Sequence, residues 1–185
     1  KPKDAIKLAN LAASVVVGKS GTASLCPGEF IKAGRPYTGE TSLQNMVEKT
    51  AQWRNQNLRV GFTNGCFDLL HSGHLELLIS TKERCDKLIV AVNSDDSVRR
   101  LKGTGRPVMD QAIRAAILQS LPCVDEVIIF GEDTPARAID AIIPDLLTKG
   151  GDYKVENVVG FKTVLDAGGH VEIIGMKAGY STTAL

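Results

Sequence analysis

The sequence has little that points to a metal scaffold, a membrane or a polyanionic partner. Its four cysteines, Cys26, Cys66, Cys85 and Cys123, form no CxxC pair and no cluster with histidine at zinc spacing. This argues against a disulfide framework or a structural metal and favours reduced thiols in a cytoplasm. The 22 basic and 21 acidic residues nearly cancel, so no global field attracts nucleic acid or an anionic membrane.

Long apolar runs are also missing. The longest, such as residues 15–17 and 127–130, are far too short to span a bilayer, and no signal peptide is visible. The length of 185 residues suits one domain plus an appendage. Because the chain begins at Lys1 without Met, we expect a fragment of a longer protein.

Three zones follow one another along the chain. Residues 1–25 contain one apolar helical stretch, and residues 26–40 are rich in proline and glycine, which indicates a linker. Residues 41–185 show a regular pattern, in which short Val-, Ile- and Leu-rich segments alternate with helical stretches. The predicted strands are 58–63, 87–92, 126–130, 145–148 and 170–174, and the predicted helices are 41–55, 73–84, 110–120, 135–142 and 156–167.

The alternation predicts an α/β fold with a doubly wound, five-stranded parallel sheet in the order 3-2-1-4-5 and helices on both faces. Polar or Gly-rich clusters follow four of the strands, at residues 64–68, 93–96, 149–152 and 177–183. Ligands in such sheets bind beyond the carboxyl ends of the strands. We therefore expect residues 64–74 and 149–152 to meet across one crevice, which residues 177–183 close.

The most informative segment joins the first strand to a helix. Ser72 can cap this helix, Gly73 lets a ligand approach the backbone, and His71 and His74 flank the same spot. Two imidazoles and a helix N-terminus can bind a phosphate and stabilise charge that develops on it, which suits phosphoryl chemistry. A zinc site is the poorer interpretation, because no third ligand has metal spacing nearby and HExxH is absent.

A second glycine-rich segment, Gly18-Lys19-Ser20, invites a P-loop interpretation. Ala13 stands where the first glycine of that motif should fall, and a helical pattern precedes it instead of a strand. We therefore reject a P-loop.

The segment His71-Ser72-Gly73-His74, after Gly65-Cys66-Phe67-Asp68, resembles the HxGH signature of the cytidylyltransferase-like nucleotidyltransferases, whose fold is Rossmann-like. The wider pattern resembles the adenylyltransferase domain of bacterial ADP-heptose synthases over roughly residues 40–185. The stretches that carry this likeness are 64–74, 99–107, 132–135, 149–153 and 179–183. Residues 1–25 resemble the tail of the ribokinase-like heptose kinase that precedes this domain in some bacteria.

The resemblance implies transfer of AMP from ATP, with Mg²⁺, to D-glycero-β-D-manno-heptose 1-phosphate, for the lipopolysaccharide core. It implies a fusion to a sugar kinase domain, and it leaves open whether the protein forms a homo-oligomer. Two alternative functions remain: a cytidylyltransferase acting on glycerol phosphate or a similar alcohol phosphate, and a nucleotide-binding module without catalysis. The intact histidine pair argues against the second.

The same resemblance supplies the candidate site residues. The catalytic candidates are His71, His74 and Lys102. The nucleotide-binding candidates are Thr63, Asn64, Gly65, Cys66, Phe67, Gly73, Asn93, Asp95, Ser181, Thr182 and Thr183. The substrate-binding candidates are Asp68, Arg106, Lys149, Gly150, Gly151 and Asp152, and no metal ligand set follows from spacing.

Several of these residues also have ordinary structural interpretations. Asp68 orients the histidines, binds metal-nucleotide or merely forms a turn, and Asn93 and Asp95 suit a helix cap as well as a ligand. Lys102 and Arg106 lie in a Gly-rich stretch that looks mobile, where a solvated loop is the alternative. Arg114 belongs to the outward face of its helix or contacts a phosphate.

Overall fold

The computed structural model describes residues 41–175. The chain divides into two compact units, Lys1–Gly39 and Glu40–Leu185, and the described residues belong to the second. The predictions for residues 1–25, 26–40 and 177–183 lie outside the described residues, so the domain boundaries stay predictions. Among the described residues, none of the helices is long and apolar enough to cross a membrane.

Strands and helices alternate through the described unit. The strands are β1 (Val60–Gly65), β2 (Lys87–Asn93), β3 (Glu126–Phe130), β4 (Leu146–Gly150) and β5 (His170–Ile174). The helices are α1 (Leu43–Asn55), α2 (Ser72–Lys82), α3 (Asp95–Lys102), α4 (Gln111–Ser120), α5 (Ala136–Ile142) and α6 (Phe161–Asp166), with a short 3-10 turn at Val155–Asn157.

The five strands form one parallel sheet in the order β3-β2-β1-β4-β5, which confirms the predicted fold. β1 is central: Thr63 pairs with Val90 of β2 on one side and with Thr148 of β4 on the other. The strands lack strict alternation because helices cover both faces, so both sets of side chains are apolar. Strands β2 and β3 are added on one side of β1, and β4 and β5 on the other, so the boundary between β1 and β4 is the switch point of the sheet. Such sheets bind ligands at this point.

Two apolar clusters hold the helices to the sheet, one on each face. Helices α1, α5 and α6 pack on the first face through residues that include Met46, Ile139 and Val164. Helices α2 and α4 pack on the second face through Leu78 and Leu118. This arrangement leaves the carboxyl ends of the strands free to carry polar loops.

Two helical predictions were wrong in detail. The predicted helix over residues 156–167 is a 3-10 turn followed by α6, because Gly160 interrupts it with a φ of +85°. A Cβ at this position would lie 2.6 Å from Ile139 Cγ2, so the turn requires glycine for space as well as for conformation. Helix α3 was not predicted, because its eight residues are mostly charged and bury only Ser97 and Val98.

Candidate active site

The start of helix α2 forms the centre of the candidate site. The N-cap is His71, with extended backbone angles, and Ser72 is the first helical residue, so the predicted cap at Ser72 was wrong. Gly73 is buried in the first turn, which carries no acidic side chain. The unpaired N–H groups and the helix dipole at this end therefore favour an anion.

The two histidines lie against each other at this helix start. Their ring centroids are 3.8 Å apart and their planes are tilted by 30°, and the Phe67 ring lies 5.1 Å from that of His74. The Nδ1 atom of His71 is buried, and the His71 side chain faces the backbone N–H of His74 while the His74 side chain faces that of His71, which is a capping-box arrangement. This arrangement fixes both rings at the start of the helix.

The surroundings of His74 determine its protonation state. Burial first, and then the nearby charges of His71 and Lys102, lower its pKa from 6.5 to about 4, so it is neutral at neutral pH. Its Nδ1 accepts a long hydrogen bond, 3.4 Å, from the His71 amide. This contact favours the tautomer that carries its proton on Nε2, the nitrogen that can then donate to a phosphate oxygen.

Asp68 anchors the segment that follows helix α3. Its buried carboxylate accepts hydrogen bonds from Arg106 Nη1 at 2.9 Å and from the amides of Val108 and Met109 at 2.6 and 3.4 Å. Burial acts to raise the pKa of Asp68, but these hydrogen bonds outweigh it and lower the pKa overall. Asp68 therefore stays ionised and holds Arg106 at the turn; contact of either residue with substrate stays a prediction.

Polar side chains join the end of strand β2 to the turn between β1 and α2, residues 66–71, which we call the β1 turn. Asn93 is buried; its Nδ2 donates to Ser97 Oγ at 2.9 Å, and its Oδ1 accepts from Cys66 Sγ at 3.8 Å. Asp95 begins helix α3, whose N-cap is Ser94. The helix-cap interpretation of Asn93 and Asp95 was therefore wrong, because Ser94 accepts from the Ser97 amide, and contact of the two residues with nucleotide stays a prediction.

Arg114 joins three segments of the site from inside the protein. Its side chain has no exposed surface, and its guanidinium donates to the Cys66 carbonyl at 2.6 Å, the Asn93 carbonyl at 2.8 Å and the Met109 carbonyl at 3.0 Å. It also pairs with Asp95 Oδ1 at 2.6 Å. The predicted outward-facing or phosphate-binding position of Arg114 was therefore wrong. Its acceptors lie 5 to 48 residues away in sequence, so local patterning gives no signal for this role.

Lys102 is the last residue of helix α3 and is exposed. The stretch was expected to be a Gly-rich loop, but the lysine stands on a helix that Gly103 ends with a φ of +95°. Arg100 ties this helix to the loop after β3, donating to Asp133 Oδ1 at 2.7 Å and to the Gly131 carbonyl at 2.6 Å. Lys102 is thus carried on an anchored element, close enough to affect the pKa of His74.

Strand β4 ends beside the β1 turn, as the predicted strand order requires. Lys149 Nζ donates to the backbone and side-chain oxygens of Asn64 at 3.2 and 3.3 Å. Thr63 is fully buried and its hydroxyl donates to the Thr148 carbonyl at 3.0 Å, so its side chain serves the sheet. Gly151 has a φ of +114° and donates its N–H to the Ile174 carbonyl at 3.1 Å, which joins the end of β4 to the end of β5.

The structure thus brings together the predicted residues of the β1, β2 and β4 ends. These are Asn64, Gly65, Cys66, Phe67, Asp68, His71, Gly73, His74, Asn93, Asp95, Lys149, Gly150 and Gly151. Asp152 follows them as an exposed residue. Ser181, Thr182 and Thr183 lie outside the described residues. Residues 41–175 hold no group of three or more His, Cys, Asp or Glu side chains that could bind a metal ion.

Two adjoining histidines at a helix N-terminus, placed at the switch point of a parallel sheet, define the site of a nucleotidyltransferase, an enzyme that needs electrostatic stabilisation of phosphate more than a side-chain nucleophile. The comparisons with known proteins agree: the model of the cytidylyltransferase-like family matches residues 62–183, and the chain belongs to that family. Enzymes of this family generally use a divalent metal ion together with the nucleoside triphosphate.

Individual relatives support the same class. The chain is 46% identical over 190 residues to "Bifunctional protein HldE" of Bradyrhizobium sp. strain ORS 278, covering 99% of this chain and 39% of that protein. It is 48% identical over 189 residues to the protein of the same name from Rhodospirillum rubrum, covering 97% and 38%. The chain therefore spans under two fifths of the length of these relatives.

A solved structure shares the fold. It is the lipopolysaccharide core biosynthesis protein from Thermoplasma volcanium GSS1, with a TM-score of 0.54 and 28% sequence identity. The match covers 67% of this chain and 99% of that one. The likeness therefore extends over nearly the whole of that smaller protein.

Proposed function

We propose that this domain transfers AMP from ATP to D-glycero-β-D-manno-heptose 1-phosphate and yields ADP-heptose and pyrophosphate for the lipopolysaccharide core. The observation that carries the proposal is the pair of stacked histidines at the start of helix α2, 3.8 Å apart, beside the switch point of the sheet. The similarity to the bifunctional HldE proteins and to a lipopolysaccharide core biosynthesis protein supports the choice of pathway. We further propose a sugar kinase domain as the partner of this domain and a cytoplasmic location.

The reaction needs no nucleophilic side chain. An anionic oxygen of the sugar phosphate bonds to the α-phosphorus of ATP while the bridging oxygen to the β-phosphorus leaves with the bonding electrons as pyrophosphate. His71, His74 and the N–H groups of helix α2 stabilise the negative charge that develops on the α-phosphate and on the leaving group. Lys102 adds positive charge on the β2 side of the same turn.

The metal ion proposed for this reaction is Mg²⁺, bound to ATP. The acidic side chains that face the crevice are already engaged, since Asp68 is held by Arg106 and Asp95 by Arg114. A site whose carboxylates are already paired fits a metal ion that is bound to ATP and takes most of its ligands from the phosphates and water, as Mg²⁺ commonly does. When bound, the ion would neutralise part of the negative charge on the phosphates.

The remaining assignments complete the proposal. We assign the nucleotide to the end of β1 and the two residues after it, Thr63–Phe67, together with Gly73, Asn93, Asp95 and residues 181–183. We assign the sugar phosphate to Asp68, Arg106 and Lys149–Asp152. A cytidylyltransferase acting on glycerol phosphate or a similar alcohol phosphate is the second candidate, favoured by the family that the chain matches.

A matrix of nucleoside triphosphates and phosphorylated acceptors, with pyrophosphate release as the readout, tests the proposal. We expect ATP with heptose 1-phosphate to give the highest kcat/KM, and replacement of His74 by alanine to lower turnover by about 10²–10³. His170→Ala is the matched control, because this histidine is exposed at the start of β5. Preference for CTP and an alcohol phosphate would establish the second candidate. Nucleotide binding without pyrophosphate release in every combination would indicate a non-catalytic module.

A further inference from the structure

Lys149 differs from Arg106 and Arg114 in having no carboxylate partner among the described residues. Arg106 is paired with Asp68 and Arg114 with Asp95, whereas no carboxylate among residues 41–175 forms an ion pair with Lys149. The ammonium is half-buried, and burial lowers its pKa. A charge removed from water in this way is costly unless an anion joins it.

The contacts of Lys149 leave part of its binding capacity unused. Both of its hydrogen bonds go to Asn64, one to the backbone carbonyl and one to the side-chain oxygen. An ammonium group has three N–H donors, so one donor and the full positive charge remain for a ligand at the β1–β4 switch point. The Tyr153 ring, 6.0 Å from Nζ, lies beside it.

The topology places Lys149 opposite Lys102. Strand β1 lies between β2 and β4, and the histidine turn extends from the end of β1. Lys102 ends the helix that follows β2, whereas Lys149 belongs to β4, so the two lysines flank the β1 turn on its two sides. In an in-line transfer, the attacking and leaving oxygens also lie on opposite sides of the phosphorus.

We infer that Lys149 binds the phosphate of the acceptor and presents its oxygen to the α-phosphorus, while Lys102 serves the departing pyrophosphate. The inference rests on the proposed function, in that the acceptor is a phosphorylated sugar. The acceptor oxygen is already anionic, so the bond to the α-phosphorus forms with no proton transfer at Lys149, which remains an ammonium throughout. Lys149 thereby selects acceptors that carry a phosphate.

Two neutral variants of the full chain test this role. Lys149→Gln retains N–H donors for Asn64 but loses the charge, and Lys149→Met loses both. Initial rates are measured with the acceptor varied at saturating ATP and with ATP varied at saturating acceptor. We expect both variants to raise the KM for heptose 1-phosphate by roughly 10- to 100-fold, the usual range for a hydrogen bond to a charged group. The KM for ATP should stay unchanged, and Lys149→Arg should recover most of the loss.

Lys154→Met is the matched control, because Lys154 is an exposed lysine in the loop after β4. It should leave both Michaelis constants unchanged. A neutral variant at Lys149 that raises the KM for ATP as much as that for the acceptor overturns the inference, and so does one that lowers kcat alone. Circular dichroism checks folding.

A labelling experiment on the parent protein covers the case in which both neutral variants unfold. Heptose 1-phosphate should protect Lys149 from acetylation, and protection by ATP alone would contradict the assignment. If the parent turns over a different phosphorylated acceptor, the proposed sugar is wrong, and the same kinetic test on that acceptor still decides the role of Lys149.

Discussion

Replacement of Arg114 by methionine should be among the most destabilising single changes in this domain. The change removes four hydrogen bonds and leaves three backbone carbonyls and the Asp95 carboxylate without their donor. The Asn93 carbonyl is buried, and Asp95 keeps only 23% of its side-chain surface exposed, so water replaces the lost donors poorly. The carbonyls of Cys66 and Met109 are partly accessible, which limits the loss.

Breaking a buried ion pair by removing one partner typically costs about 3–5 kcal/mol. The total stability of a domain is only about 5–15 kcal/mol, so this one change should remove a large fraction of it. With a urea m-value of about 2 kcal/mol per molar, the midpoint of unfolding should fall by about 2 M. The single tryptophan, Trp53, is buried against the sheet and reports unfolding by fluorescence.

The matched control is Arg137→Met, which removes an arginine from an exposed pair. Arg137 and Glu132 lie 3.1 Å apart with 76% and 45% of their side chains exposed. Such pairs contribute about 0–1 kcal/mol, so the midpoint should hardly move. A loss below about 1 kcal/mol for Arg114→Met would refute the reasoning, because it would show that water or a rearranged turn replaces the guanidinium.

Two further predictions concern pH and the first residues of the chain. Because the pKa of His74 is lowered to about 4 in the folded protein against 6.5 in the unfolded chain, this group should make the free energy of unfolding fall as pH drops through that range. NMR titration of the His74 ring checks the value, and an inflection near 6.5 would contradict it. Deletion of residues 1–25 should leave pyrophosphate release intact, since every predicted ligand loop follows residue 60; loss of activity in a folded deletion would show that the segment contributes to the site.

The fold was predictable because its signals are local. Segments such as Glu126–Phe130 and His170–Ile174 are short apolar runs between clear breaks, and the structure places strands at those positions. The strand order followed from the alternation of strands and helices, because a doubly wound five-stranded sheet has the order 3-2-1-4-5. Helix α3 lacked an apolar stripe, with Val98 its single buried apolar residue, and this explains its omission.

The sequence predicted which strand ends meet at the candidate site, but not the contacts that hold them together. The spacing of His71 and His74 is readable in the sequence, but the contacts that hold them in place are long-range. Arg114 reaches the Cys66 carbonyl from 48 residues away, and Asp68 reaches Arg106 across 38 residues. A buried arginine that binds carbonyls resembles a surface arginine in sequence, because only tertiary structure shows which groups surround it.

The central position of β1 has a consequence for synthesis of the chain. Until β4 has been synthesised, β1 is an edge strand. Its residues Val60 and Phe62, which are fully buried in the complete fold, are then only partly shielded from water. An incomplete chain that stops before Leu146 would expose an apolar edge of this kind to other chains, which favours aggregation. Lys149 and Asn64 are 85 residues apart, so the crevice also assembles late. Truncation before Leu146 should therefore lower the yield of folded protein, and it removes Lys149 from the end of the sheet.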